Sequence, residues 1–193
     1  MAELTTTSYV ILGILASREC SAYELAHQLG RGHDQVWPRA ERQLYNAPKS
    51  LVDAGYARAR QEMVGRRGRT VYSITRSGRA ALKRWLSTDP QPPALEFEGL
   101  VRVLVADQGT IDQLRHNLAV IVEQSRAEEG RWAAAGGAEG DFPERRHLQA
   151  LANEFLIGHH EHIVRWATWA LEETASWSDT RAPEGPDHGP SGA

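Results

Sequence analysis

The first apolar run of the chain is apolar on every side. Val10, Ile11, Leu12, Ile14 and Leu15 leave no polar face, which predicts a buried helix to about Ala16, capped by Thr5, Thr6 or Thr7. Ser21-Ala-Tyr-Glu24 then has the spacing of a capping box and opens a short second helix to Leu29, which Gly30 and Gly32 end. A third helix is predicted from Pro38 through Leu44, Leu51 and Val52 to Gly55. Pro48 removes a backbone hydrogen bond inside it, so a bend or a short break is expected between Tyr45 and Lys49. Two strands follow, Tyr56 to Met63 and Thr70 to Ile74, with the Gly65-Arg-Arg-Gly68 turn between them. Thr75 or Ser77 starts the next helix, Arg79 to Leu86.

Pro90, Pro92 and Pro93 interrupt regular structure and place a domain boundary. Beyond it, Leu95 to Ala106 is apolar on most sides, and Ile111, Leu114, Leu118, Ile121 and Val122 keep helical spacing to about Ala135. A loop is expected at Gly136 to Gly140. The last helix carries Leu148, Leu151, Ala152, Phe155, His159, His162, Ile163, Trp166, Trp169 and Ala170 at three- and four-residue intervals. That single stripe is longer than a small domain buries alone. From Ser178 the chain is Pro- and Gly-rich without periodicity, which predicts disorder. The pattern therefore predicts a mainly α chain with a small β-hairpin wing. A winged helix-turn-helix domain is expected over residues 1–88, a helical region over residues 94–177, and a disordered tail over residues 178–193.

Composition narrows the class. With 193 residues and 41% hydrophobic content the chain can build a real core. Its one cysteine, Cys20, excludes an internal disulfide. No signal-peptide pattern opens the sequence, and the apolar runs fall short of the ~20 residues that span a bilayer, so a cytoplasmic location is the default expectation and no membrane partner is expected.

Charge divides the chain in two. The formal net charge is −3, but residues 1–88 hold 14 Lys and Arg against 7 Asp and Glu, whereas residues 89–193 hold 8 against 18. A basic half attracts phosphate and releases counterions, and an acidic half is repelled by it. The positive charge concentrates in two elements. On the third helix, Arg39, Arg42, Gln43, Asn46 and Lys49 share a face opposite Leu44, Leu51 and Val52, with Tyr45 beside them. Arg reads guanine and Gln or Asn reads adenine through paired hydrogen bonds in a major groove, although an unliganded solvated face is an equal reading of this helix taken by itself. Arg66, Arg67 and Arg69 at the hairpin tip repel one another and gain from an anionic partner, which fits phosphate contacts that add affinity more than selectivity.

Other candidates are weaker. His159 and His162 lie one turn apart but lack the third ligand that zinc usually takes, so packing or interface histidines are favoured over a metal site. Trp132, Trp166, Trp169 and Trp177 all fall in the acidic half, where they either fill a core or dimer interface or line a cavity for a flat apolar effector. No nucleophile motif or Gly-rich phosphate loop is present and Cys20 has no evident activating partner, so neither an enzyme nor a cofactor is expected.

Several strings, taken in order, resemble the PadR-type transcriptional regulators. They are Ile11-Leu-Gly-Ile-Leu15, Ala22-Tyr-Glu-Leu25 with Leu29, Trp37-Pro38, Gln43-Leu-Tyr45, Lys49-Ser-Leu51, Gly55-Tyr56, Arg66 to Tyr72, and Ile74-Thr-Arg-Ser-Gly78-Arg-Ala-Ala-Leu82. Ser21-Ala22 stands where such regulators usually have His-Gly, and Asn46-Ala47 separate Tyr45 from a proline that they tend to place at once. The resemblance covers about residues 5–88. It implies a winged helix that binds double-stranded DNA, and a C-terminal helical region that dimerises through a face such as Phe155, His159, His162, Trp166 and Trp169. A two-fold protein implies a pseudo-palindromic operator. The same resemblance implies a repressor released by a small apolar or aromatic effector. The rival reading is a protein-interaction module that uses the basic surface and the long apolar helix.

Overall fold

The computed structural model describes residues 4–30, 36–37, 46–64, 67–135 and 142–181, with the backbone alone at Gly30, Val64 and Arg67. It separates into two compact units, Met1–Pro92 and Pro93–Ala193.

The first unit is built on α1 (Thr6–Ser17). Thr5 caps it, its hydroxyl accepting from the Ser8 amide at 3.3 Å. Ile11, Leu12, Ile14 and Leu15 are all buried, as an all-round apolar helix requires. A two-residue strand, β1 (Cys20–Ser21), precedes α2 (Ala22–Gly30). The capping box closes both ways: the Ser21 amide donates to Glu24 Oε2 at 2.6 Å, and the Glu24 amide donates to Ser21 Oγ at 3.3 Å. Trp37 is tied to α1 by a 3.1 Å hydrogen bond from its Nε1 to the buried Thr7 hydroxyl.

Helix α3 (Ala47–Asp53) starts at the proline instead of running through it. Pro48 sits in the first turn, where a missing N–H costs nothing, and is itself buried together with Leu51. Gly55 ends the helix at φ 77° with its amide donating to Val52 O, a conformation that favours glycine. Strands β2 (Ala57–Val64) and β3 (Arg67–Ile74) form an antiparallel hairpin, and β1 pairs with β3, giving the order β1-β3-β2. The hairpin is longer than the alternation predicts, since Arg67 and Arg69 belong to β3 and Val64 pairs with Arg67.

Helix α4 (Arg76–Trp85) completes this unit, capped by Thr75, whose hydroxyl accepts from the Gly78 amide at 3.0 Å. It packs on α1, where Trp85 and Tyr9 stack with ring centroids 4.7 Å apart. The crossing depends on Gly78. A Cβ there would lie 2.2 Å from Tyr56 O and 2.8 Å from Ile74 Cγ1.

The second unit is helical. Short α5 (Glu98–Leu104) and a 3₁₀ turn at Ala106–Gln108 lead into α6 (Ile111–Ala135). A second 3₁₀ turn, Pro143–Arg145, leads into α7 (Arg146–Thr174). Thr110 and Gln113 form another reciprocal cap at the start of α6. The sequence carries the same Thr-x-x-Gln signal there, a capping signature that the apolar spacing of α6 does not itself display. The start of α6 meets the end of α7, so the pair is antiparallel, around Leu114, Leu118, Ile121 and Ala167. Gly99 lets α5 press onto this pair, since a Cβ there would meet Ile121 Cδ1 at 2.8 Å. The loop expected at 136–140 lies outside the described residues.

The Gly78 contact generates the first prediction. In an open helix, Gly→Ala gains roughly 0.5–1 kcal/mol of backbone stability. Here the neighbour is a backbone oxygen that cannot rotate away, and overpacking costs typically about 1–3 kcal/mol. Gly78→Ala is therefore expected to lower the stability of the first unit in denaturant melts, and a midpoint equal to or above that of the parent chain would refute the close approach.

Candidate nucleic-acid interface and helical cleft

Of the residues assigned to base reading, Arg39, Arg42, Gln43 and Tyr45 lie outside the described residues. Asn46 and Lys49 are described and exposed. Asn46 occupies the N-cap of α3 in a helical conformation and its side chain makes no capping bond, so its amide is not spent on the helix. Burial of Pro48 and Leu51 on the opposite side holds Lys49 outward.

The wing differs from the expected free cluster of arginines. Arg66 lies outside the described residues and Arg67 enters β3. Arg69 stands opposite Glu62 in the ladder and pairs with it at 2.8 Å. A second contact reaches Glu24 Oε1 at 3.4 Å, 45 residues away in sequence. Glu62 also meets Arg60 at 3.4 Å, and Arg60 reaches Glu19 at 2.8 Å. A chain of alternating charges thus runs across the base of the wing to β1 and α2. Its electrostatics are consistent: the Arg69 guanidinium holds the Glu62 carboxyl below its usual range, and hydrogen bonds from Ser21, ahead of Arg69, do the same for Glu24. These members are a third to a half exposed, so the pairs add little to stability and a phosphate can compete for Arg69.

In the second unit the stripe of α7 divides between two faces. Leu156 and Ala167 are buried against α6, and Ile163 and Trp166 pack beside them. Trp166 also meets Phe97 edge-on at 6.1 Å. The other side stays open: Leu151 is 71% exposed, Phe155 69% and Trp169 56%. His162 is exposed, His159 is partly buried and stacks on Phe155 at 6.2 Å, and burial together with His159 pushes the His160 imidazole down. Among the described residues no three His, Cys, Asp or Glu side chains converge on a metal site, and no helix is long and apolar enough to cross a membrane.

The tryptophans separate. Trp132 is buried, with Arg131 over its ring at 5.3 Å. Trp166, Trp169 and Trp177 instead line a cleft of about 440 Å³ between α5, α6 and the end of α7. Sequence reasoning places the tail from Ser178, yet the chain as far as Arg181 is bonded to the helices. Arg115 donates to Thr174 O at 2.5 Å, Ala175 O at 3.1 Å and Trp177 O at 3.0 Å. Thr180 Oγ1 reaches Gly109 O at 3.5 Å and Arg181 Nε donates to Asp107 O at 3.3 Å. This returning segment supplies Trp177 and Thr180 to the wall of the cleft. Residues 182–193 lie outside the described residues.

Residues 11–84 match the model of the transcriptional regulator PadR-like family. A probable transcriptional regulator of Mycobacterium tuberculosis is 32% identical over 85 residues, 44% of this chain and 45% of that protein. The negative transcriptional regulator PadR of Bacillus subtilis is 29% identical over 96 residues, 49% of this chain and 53% of that one. The match thus spans about half the length of these curated relatives. In fold the likeness runs further. The B. subtilis PadR solved with operator DNA superposes with a TM-score of 0.73 at 20% identity, covering 88% of this chain and 99% of that one. The same protein solved with p-coumaric acid gives 0.68 at 19% identity, with 88% and 99% covered. The likeness to the PadR-like family is therefore one of sequence over residues 11–84 of the first unit, and one of fold over most of the chain.

Proposed function

We propose that this chain is a homodimeric, sequence-specific DNA-binding transcriptional regulator that acts as a cytoplasmic repressor on a pseudo-palindromic operator. The observation that carries the reading is the coincidence of the PadR-like match, residues 11–84, with the winged unit and with the basic half of the chain. Residues 1–88 bind DNA, residues 94–177 dimerise, and Arg39, Arg42, Gln43, Tyr45, Asn46 and Lys49 read or grip the duplex while Arg66, Arg67 and Arg69 hold phosphates. Repression follows the negative regulation carried out by the B. subtilis relative. The partner is a second copy, joined along the side of α7 that carries Phe155, His159, His162 and Trp169. Trp166 contributes from beneath, since most of its contacts lie within its own protomer.

Footprinting on DNA flanking the coding region, with a scrambled duplex as control, tests the whole reading. Steep salt dependence without preference for any sequence would favour an acidic-protein partner over an operator.

The wing yields a prediction that the ion pairs make specific. Replacing Arg66, Arg67 and Arg69 together by Ala is expected to weaken binding to operator and random DNA alike and to flatten the salt slope. Glu62→Gln should act the other way, because it releases Arg69 from its nearest competitor and so tightens both complexes. An unchanged affinity in both variants removes the wing from the interface.

The reading helix behaves differently. Gln43→Ala or Asn46→Ala is expected to cost on the order of 1–3 kcal/mol on the operator and little on random DNA, as gel-shift titrations would show. Equal losses on both duplexes would make these residues backbone contacts.

For the dimer, Phe155→Asp is the informative change. Phe155 makes little contact in its own chain, so the variant should remain folded, sediment as a monomer and lose operator affinity with the basic surface untouched. A folded dimer that still binds the operator would move the interface to another surface, the exposed Val101 and Leu104 of α5 being the next candidate.

A further inference from the structure

The cleft of the second unit has a chemistry of its own. Its floor is apolar, formed by Leu114, Leu118 and Ala170, and Trp166, Trp169 and Trp177 supply three indole rings. At about 440 Å³ it lies within the ~300–1,000 Å³ range of pockets that enclose small organic ligands. Among the described residues, the charged side chains in its wall are Asp107 and Glu173, both carboxylates and both exposed toward solvent. The nearby cations are committed elsewhere. Arg115 is turned onto three backbone carbonyls and Arg181 onto the carbonyl of Asp107, where they hold the returning segment in place without entering the wall. Thr174 brings the C-terminal end of α7 to the rim, but Arg115 already caps its carbonyl, so the two carboxylates decide the sign of the site.

We infer that this cleft binds a planar aromatic cation, its ring system lying among Trp166, Trp169 and Trp177 and its positive charge facing Asp107 and Glu173. Two independent properties favour that class. Indole faces carry negative quadrupole potential and attract cations, and carboxylates at the rim attract the same charge and repel a carboxylate ligand. A planar anion such as the p-coumaric acid bound by the B. subtilis relative would meet two like charges here and no cation in the wall. The ligand would serve as effector, and that role alone rests on the regulator reading; the binding site itself does not.

Calorimetry on the full chain without DNA tests it, with berberine as the planar cation and p-coumarate as the planar anion. Berberine is expected to bind with one site per chain, and p-coumarate at least about tenfold more weakly, as expected when one like-charged rim replaces an attractive one. Asp107→Asn with Glu173→Gln should weaken berberine by about tenfold and narrow the gap between the two probes, with an unchanged melting temperature showing that the fold survives. Trp177→Ala removes one ring from the wall at a residue held mainly through its backbone, and should weaken berberine as well. Anion binding equal to or tighter than cation binding overturns the inference, as does a double carboxylate variant with full affinity. Sedimentation of Trp177→Ala covers the competing occupant, because dissociation to monomer would show that a second copy fills the cleft. Because no DNA is present, a failure of operator binding leaves this measurement intact, and a failure here leaves the footprint intact.

Discussion

A helix of 29 residues exposes more apolar surface than one neighbour can cover, and that constraint on α7 organises the second unit. Its inner side closes against α6 through Leu156, Ile163 and Ala167, leaving Leu151, Phe155 and Trp169 facing outward. Each large apolar side chain returned to cover is worth about 1.5–3 kcal/mol, so a second copy laid along this face gains what the single chain forgoes. Inner residues specify the helix pair and outer ones specify the assembly. For that reason the same kind of residue would have opposite consequences on the two sides under the proposed dimer: loss of Ala167's neighbours would harm the fold, whereas loss of Phe155 would harm association.

In the first unit the electrostatics work through competition rather than accumulation. A run of three arginines reads as a free cationic tip, yet Arg69 is held by Glu62 and Glu24. Pairs this exposed contribute little to stability and exchange readily with other anions. Their effect is on geometry: the network from Glu19 through Arg60, Glu62 and Arg69 to Glu24 ties the hairpin to β1 and the start of α2. A phosphate that takes Arg69 must first displace two carboxylates, which lowers nonspecific affinity for polyanions without removing the charge.

Local signals were the legible ones. A cap among Thr5, Thr6 and Thr7, the Ser21–Glu24 box, a helix start at Thr75 or Ser77 and the span of α6 all follow from spacings of four residues or fewer, and the structure puts the two open caps at Thr5 and Thr75. Pro48 was legible as an interruption, and its place in the first turn of α3 is the break that its ring geometry requires. Strand β1 was not, because two residues carry no alternation and Cys20–Ser21 becomes a strand only by pairing with Val71 and Tyr72. The Arg69–Glu24 contact, 45 residues apart, was hidden for the same reason. The stripe on α7 was visible as a pattern, but the division into inner and outer faces depends on where α6 lies. Trp177 lies just ahead of a segment that reads as tail from its Pro and Gly content, and the contacts of Arg115, 62 residues away, together with those of Thr180 and Arg181, reveal that the chain turns back there.

The two outward features of the second unit share a helix and one side chain. Trp169 is a wall of the cleft and also the last large residue of the exposed stripe, while Leu114, Leu118, Trp166 and Ala170 belong both to the cleft and to the α6–α7 core. A ligand changes an equilibrium only to the extent that it binds two arrangements with different affinity. With the cleft and the dimer face this contiguous, any ligand that shifts Trp169 or the end of α7 also changes what the second copy meets. If the proposed second copy lies along this face, no long-range relay through the chain is needed between it and the cleft, because both would be carried by one helix whose inner residues hold the fold.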